Sequence, residues 1–155
     1  MIIRGYTPKE AKVVRDLVTR AFGQSDEADL VEALRDSGDI ALELVAEDRK
    51  KIVGHVALSR MASPKGWLAL APVCADPKRQ NKGIGSVLCQ MALQYANAPV
   101  VVLGEPEYYG RFGFEFEAKP KVTTPFPTEF TGVFLPEGHV CPETVELVYA
   151  KPFTG

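Results

Sequence analysis

The sequence contains few of the residues that metal sites and disulfide frameworks require. It has two histidines and three cysteines, Cys74, Cys89 and Cys141, in 155 residues. Because the cysteines are odd in number and match no common metal-binding spacing, we expect neither a disulfide framework nor a bound metal. Sparing use of cysteine is typical of proteins in a reducing compartment, so we expect a cytoplasmic location.

An excess of one charge and long apolar runs are also missing. The net charge is −2, so there is no broad basic field that would attract nucleic acid or an acidic membrane. No apolar run approaches the length of a membrane span, and the segment Met1 to Gly5 lacks the organisation of a signal peptide. The length suits one domain with a sizeable core, and no internal repeat occurs, so we expect residues 1–155 to form a single domain.

The order of hydrophobic patterns predicts a mixed α/β domain. After an N-terminal strand and two helices, Leu42 to Met61 alternates as in an antiparallel hairpin with its turn at Asp48 to Lys51. Trp67 to Ala75 is almost wholly apolar, which is typical of a central strand buried on both faces. Proline cannot donate to a sheet ladder, so Pro72 predicts a bulge in that strand. Thr144 to Lys151 is expected to close the sheet.

A glycine-containing turn follows this central strand and leads into a predicted helix, Ile84 to Ala96. The turn reads Gln80-Asn81-Lys82-Gly83-Ile84-Gly85, and Ser86 follows it. Free backbone N–H groups and the positive end of a helix dipole point to one place at such a helix start, and glycines let a phosphate approach the backbone closely. The turn therefore predicts a site for a phosphorylated ligand.

Three kinds of phosphate loop can be compared with this turn. A Walker loop ends in Gly-Lys-Ser or Gly-Lys-Thr, and the turn has no such ending. A dinucleotide fingerprint needs a third glycine, whose place is taken by Leu88, although Glu105 after the next strand could serve as its acidic ribose ligand. A nucleotide-binding regulatory domain is therefore one alternative. The third kind has the pattern Gln-x-x-Gly-x-Gly after a strand, which this turn matches.

That third pattern resembles the pyrophosphate loop of the GNAT superfamily of acyl-CoA-dependent N-acetyltransferases. The resemblance includes Pro77 and Arg79 before the glycines, and a tyrosine, Tyr109, four residues before the pair Gly113-Phe114. The longer string from Gly104 to Tyr109 is similar to a bacterial subgroup of acetyltransferases of the YhbS type. The matching core runs from about residue 40 to residue 116.

The resemblance implies a fold, a cosubstrate and a set of site residues. The fold would be a mixed, mostly antiparallel sheet with helices on both faces, and acetyl-CoA would lie where the central strand splays away from Val100 to Leu103. Tyr109 would be the general acid that protonates the departing thiolate, while Tyr108 is one residue out of place. The cosubstrate would contact ten residues: Val73, Cys74, Ala75, Gln80, Asn81, Lys82, Gly83, Ile84, Gly85 and Ser86.

The acceptor and the general base are left open by the sequence. The acceptor would be a small-molecule or protein amine, held by the variable segments Phe22 to Glu32 and Pro120 to Phe134. Candidate bases are four residues near the expected cleft, none of them at a fixed family position: Glu43, His55, Glu105 and Glu107. A catalytically silent acyl-CoA sensor is the alternative to an enzyme, and a homodimer is an open alternative to a monomer.

Overall fold

The computed structural model describes residues 1–79 and 81–154. Within these ranges the chain forms nine strands and five α-helices. The strands are β1 (Ile2–Gly5), β2 (Ile40–Asp48), β3 (Lys51–Arg60), β4 (Leu68–Ala75), β5 (Val100–Leu103), β6 (Glu115–Phe116), β7 (Lys121–Thr123), β8 (Thr131–Phe134) and β9 (Thr144–Glu146). The helices are α1 (Ala11–Phe22), α2 (Asp26–Asp36), α3 (Ile84–Ala96), α4 (Pro106–Gly110) and α5 (Lys151–Thr154). None of these helices is long and apolar enough to cross a membrane.

Seven strands form one twisted sheet in the order β1-β2-β3-β4-β5-β8-β6. Every neighbouring pair is antiparallel except β4 and β5, which are parallel. The predicted hairpin is present, with Asp48 opposite Lys51 and two turn residues between them, Arg49 at φ 51° and Lys50 at φ 66°. The predicted mostly antiparallel mixed sheet is confirmed.

Helices cover both faces of this sheet, as predicted. On one face, α3 buries Ile84, Leu88 and Ala92 in the largest core cluster. A Cβ on Gly54 in β3 would lie 2.6 Å from Cγ2 of Ile84, so α3 approaches the sheet closely only because residue 54 has no side chain. On the other face, Leu17 of α1 packs in a second cluster with Cys74 of β4.

The central strand β4 has the predicted bulge. Opposite β3, Val56 pairs with Val73 but Leu58 pairs with Leu70, so β4 contains one extra residue in the stretch that includes Pro72. On its other edge β4 pairs with β5 from Leu68 to Leu70. Beyond that point the two strands separate, and the Val73–Ala75 stretch of β4 keeps its neighbour on the β3 side alone among the described residues. The expected splaying of the central strands is confirmed.

The C-terminal segment does not close the sheet, so that prediction is wrong. β9 pairs in parallel with β7, which makes a separate two-stranded sheet, and β6 is the last strand of the large sheet. The side chains of Leu147 and Tyr149 pack with Ala69, Val101 and Val133 in a third cluster. The segment therefore lies across one face of the sheet, and the alternation in its sequence reflects burial against that face.

Candidate active site

A cavity of about 650 Å³ lies where β4 and β5 separate. It is bounded by the end of α1, the end of β4, the start of α3 and the short helix α4. Its lining residues are Ala21, Phe22, Val73, Cys74, Ala75, Arg79, Asn81, Gly83, Ile84, Gly85, Ser86, Tyr108, Tyr109 and Arg111. A cavity of this size suits a small-molecule ligand.

The start of α3 lies at one end of this cavity. Gly83 is the N-cap residue at φ 79°, a left-handed conformation that favours glycine, and no side chain of the described residues caps the helix. The first turn contains no acidic residue, so the N–H groups of Ile84, Gly85 and Ser86 are available to an anion. A Cβ on Gly85 would lie 3.3 Å from the Tyr108 hydroxyl, and the lack of one keeps this approach open.

The structure brings most of the residues predicted to bind the cosubstrate to this cavity. Eight of them line it: Val73, Cys74, Ala75, Asn81, Gly83, Ile84, Gly85 and Ser86. Lys82 lies instead on a neighbouring hollow with Met1, Asp48 and Lys78. The prediction for Gln80 falls outside the described residues.

Two arginines give the cavity its positive charge. Arg79 forms an ion pair with Asp48, and both side chains are about one-third exposed. Arg111 lies 4.5 Å from the ring centre of Tyr108 and donates to Ser86 Oγ at 3.4 Å. Arg111 was not among the predicted site residues, although it lies inside the Tyr109 to Gly113 motif on which the predicted general acid rests. Both guanidinium groups favour an anionic ligand at the α3 end.

Tyr109 lies between this cavity and a second one. Its ring packs edge-on against Tyr108, at 4.9 Å between ring centres, and against Phe114 at 5.8 Å. Burial, reinforced by the neighbouring Cys89 and Tyr108, raises the pKa of Tyr109 well above its ordinary value of 10.0. The phenol therefore keeps its proton across the physiological range.

The second cavity, of about 340 Å³, lies on the α2 side of the sheet. It shares Phe22, Val73 and Tyr109 with the first cavity, so the two cavities adjoin at these residues. The predicted acceptor segments supply part of its lining, because Phe22 to Glu32 contributes Glu27 and Pro120 to Phe134 contributes Phe126. Tyr149 and Phe153 also line it, and sequence reasoning missed them because it assigned the C-terminus to the sheet.

Two of the four candidate bases belong to a buried ion network away from both cavities. Glu43 accepts hydrogen bonds from Arg35 at 2.6 Å and from His55 Nε2 at 2.6 Å, and Arg35 lies 4.1 Å from the ring centre of Tyr6. Burial, the largest single effect, raises the pKa of Glu43, but the hydrogen bonds from His55 and Arg35 outweigh it and the net shift is downward. Glu43 is thus held as a carboxylate between two donors.

The other two candidates, Glu105 and Glu107, are exposed at the start of α4, and neither lines the two cavities. The described residues contain no group of three or more histidine, cysteine or acidic side chains that could hold a metal ion. Cys74 and Cys89 are buried thiols, and burial raises the pKa of each to about 12. Neither thiol is therefore a nucleophile at neutral pH.

Sequence comparison relates this chain to acetyltransferases. The family model described as "Acetyltransferase (GNAT) family" matches residues 11–114. The Escherichia coli K12 protein named as the uncharacterized N-acetyltransferase YhbS is 36% identical over 126 residues, which covers 76% of this chain and 75% of the relative.

Solved structures give the same relationship. The crystal structure of Escherichia coli YhbS in complex with CoA matches with a TM-score of 0.88 and 31% identity, over 99% of this chain and 92% of that one. A Brucella melitensis acetyltransferase of the same family, in complex with acetyl-CoA, matches with a TM-score of 0.83 and 28% identity, over 98% and 97% of the two chains.

Proposed function

This chain belongs to the GNAT family of acetyltransferases, and we propose that it moves an acetyl group from acetyl-CoA to a primary amine. The observation that carries the proposal is the cavity at the open edge of β4, which combines an uncapped helix N-terminus, two arginines and a protonated tyrosine. The relatives from Escherichia coli and Brucella melitensis, solved with CoA and with acetyl-CoA, have the same fold around it.

The residues present fit acetyl-CoA as the cosubstrate. The N–H groups at the start of α3 would take the pyrophosphate, with Arg79 and Arg111 as nearby cations. The exposed backbone edge of Val73 to Ala75 would hydrogen-bond the pantetheine amides, as an added strand does. Asn81, Gly83 and Ile84 would form the rest of the loop, and Lys82 would add charge from outside the cavity. Gln80 stays a predicted member.

The proposed transfer needs an acid on the side of the leaving thiolate. The nitrogen of the neutral amine attacks the thioester carbonyl carbon, a C–N bond forms and the C–S bond breaks. The nitrogen gives its surplus proton to solvent, and Tyr109 gives its own to the thiolate before solvent reprotonates the phenolate. Backbone N–H groups of the β4 edge would stabilise the oxyanion in between. The position of Tyr109 on the cosubstrate cavity supports the assignment. Burial keeps the phenol protonated before the transfer, but it also makes the phenol a weaker acid.

A catalytically silent acyl-CoA sensor is the competing function, and turnover distinguishes the two. Purified protein would be assayed for CoA thiol release with acetyl-CoA and a panel of primary amines, beside a Tyr109→Phe variant. Loss of a general acid typically costs about 10²-fold or more in kcat, with little change in the KM for acetyl-CoA. Thiol release that matches acetylated amine supports the enzyme. A folded protein that binds acetyl-CoA and acetylates nothing supports the sensor, and full activity of Tyr109→Phe removes the acid role.

The proposal also includes where the protein acts and which acceptors it uses. Sparing use of cysteine supports a cytoplasmic reaction, and the acceptor is a small molecule or an exposed protein amine. A homodimer remains the alternative to a monomer and does not affect the chemistry proposed here.

A further inference from the structure

The second cavity has the opposite electrostatic character from the first. Glu27 is the charged side chain of its described lining, whereas the charged side chains of the first cavity are Arg79 and Arg111. Both oxygens of Glu27 lie 3.2 Å from the Gln24 amide nitrogen, which holds the carboxylate near the first turn of α2. The two adjoining cavities therefore suit a polyanion on one side and a cation on the other.

The rest of the second cavity is apolar, and aromatic rings form one of its walls. Phe126 packs edge-on against Tyr149 at 5.0 Å between ring centres, and Tyr149 lies 5.3 Å from the ring of Phe153. Leu30 and Leu103 are further lining side chains. Aromatic rings already packed against one another form a rigid wall, which binds a flat apolar group at a small cost in side-chain entropy.

The Tyr149 hydroxyl takes no part in this electrostatic pattern. Its oxygen is buried, and within the described ranges no hydrogen bond of normal geometry reaches it. Burial raises the pKa of Tyr149, and the nearby Thr124 hydroxyl only partly offsets that effect. Tyr149 therefore contributes its ring to the wall, and a phenylalanine at this position should serve as well.

We propose that the second cavity binds the acetyl acceptor, and that this acceptor is a small primary amine on a flat, apolar body, such as an arylalkylamine. The inference rests on the proposed acetyl transfer, because it names the amine for the same site. Glu27 pairs with the ammonium group as the acceptor enters, and the rings of Phe126, Tyr149 and Phe153 contact the body. The ammonium then gives one proton to solvent, and the neutral nitrogen attacks the thioester. A volume of about 340 Å³ is at the small end of ligand pockets, which favours a small molecule over a protein segment.

The position of Tyr109 supports this assignment. Tyr109, Val73 and Phe22 line both cavities, so an amine that enters from the Glu27 side meets the thioester where the two cavities join. The acceptor and the cosubstrate would then approach from opposite faces of the sheet, and neither would have to leave before the other enters.

Binding without turnover tests the acceptor class separately from the reaction. The Tyr109→Phe variant, saturated with CoA, would be titrated with phenethylamine and with its neutral analogue 2-phenylethanol. We expect phenethylamine to bind about tenfold more tightly than 2-phenylethanol, because one charge-assisted hydrogen bond contributes about that factor to the affinity. Glu27→Gln should abolish this difference between the two ligands. Glu32→Gln on the same helix, which pairs with Arg15 at 2.7 Å and lies outside the cavity, should preserve it.

A second pair of variants tests the aromatic wall. Phe153→Ala should weaken phenethylamine binding, and Tyr95→Ala, at an exposed residue of α3 outside the cavity, should leave it unchanged. The inference is overturned if phenethylamine and 2-phenylethanol bind equally to the Tyr109→Phe variant that carries no further substitution. It is also overturned if Glu27→Gln and Glu32→Gln change the difference between the two ligands by the same amount.

Turnover distinguishes failure of the inference from failure of the proposed function. If the wild-type protein acetylates spermidine or a lysine peptide but not phenethylamine, the acetyl transfer stands and the acceptor class is wrong. If phenethylamine binds with the expected dependence on Glu27 but no amine of the panel is acetylated, the cavity assignment stands as a binding site and the proposed transfer is wrong.

Discussion

The ring of Tyr109 occupies the space that a side chain on Gly104 would need. A Cβ on residue 104 would lie 2.4 Å from Cε2 and 2.8 Å from Cδ2 of Tyr109, far inside normal contact. The backbone at this point is held in place, since the Gly104 N–H donates to the Phe130 carbonyl at 2.9 Å. The missing side chain at residue 104 therefore allows the phenol to lie between the two cavities.

Replacing Gly104 with alanine should displace the Tyr109 ring and slow the reaction. We expect Gly104→Ala to lower kcat by up to about 10²-fold, because a misplacement of about 1 Å at a reacting group can cost that much. The KM for acetyl-CoA should change little, since Gly104 does not line the cosubstrate cavity. The matched control is Gly110→Ala in α4, where an added Cβ would meet nothing within 4 Å. Equal kcat in the two variants would show that the ring position does not matter.

Local sequence patterns predicted the features that depend on local physics. A proline inside an apolar strand predicted the bulge around Pro72, because the missing donor is a property of that residue alone. The glycine-containing turn and the apolar spacing after it predicted a helix from Ile84 to Ala96, and α3 has these bounds, with Gly83 as its N-cap residue. These features need no knowledge of which distant segments meet.

Features that depend on contacts between distant segments could not be predicted from the sequence. Alternation around Leu147 and Tyr149 showed that one face is buried, but the same pattern fits a strand in the large sheet and a strand lying across its face. Glu27 looked like an ordinary acid in the first turn of a helix. Its position on the second cavity follows from the packing of α2 against the C-terminal segment, which no local pattern encodes.

Neutralising Glu43 should destabilise the protein without impairing catalysis. Glu43 has 6% of its side chain exposed and lies between Arg35 and His55, so Glu43→Gln leaves the partly buried Arg35 without its counter-ion. We expect a loss of about 3 kcal/mol in the free energy of unfolding, measured by urea denaturation. Glu32→Gln should have a much smaller effect, since that carboxylate is 42% exposed. A large fall in kcat of still-folded Glu43→Gln would restore Glu43 as a candidate base.

The ion pair between Arg4 and Glu10 should make stability depend on pH in the acid range. The Arg4 hydrogen bond, at 2.5 Å, lowers the pKa of Glu10 from its ordinary 4.5 to about 2, helped by the Thr7 backbone N–H at 2.9 Å. A carboxyl whose folded pKa is depressed stabilises the protein above its unfolded pKa and loses that contribution as the pH falls through its folded pKa.

This dependence can be measured with a single variant. Glu10→Gln should be less stable than the wild type at pH 7, and the difference in their free energies of unfolding should shrink as the pH falls from about 4.5 to about 2. Arg4 also binds Glu47 at 2.9 Å, and that second ion pair remains in the variant. A difference that stays constant over this window would mean that Glu10 titrates alike in the folded and unfolded states.

The most direct test of the central claim is native mass spectrometry of the protein with and without acetyl-CoA. We expect a mass increase of one acetyl-CoA per chain. Ser86→Glu should prevent it, because a carboxylate in the first turn of α3 suits the helix but repels the pyrophosphate. Gln90→Glu, on the same helix but exposed and outside the cavity, should bind as the wild type does. No adduct on folded wild-type protein at saturating acetyl-CoA, or equal adducts on both variants, would contradict the account.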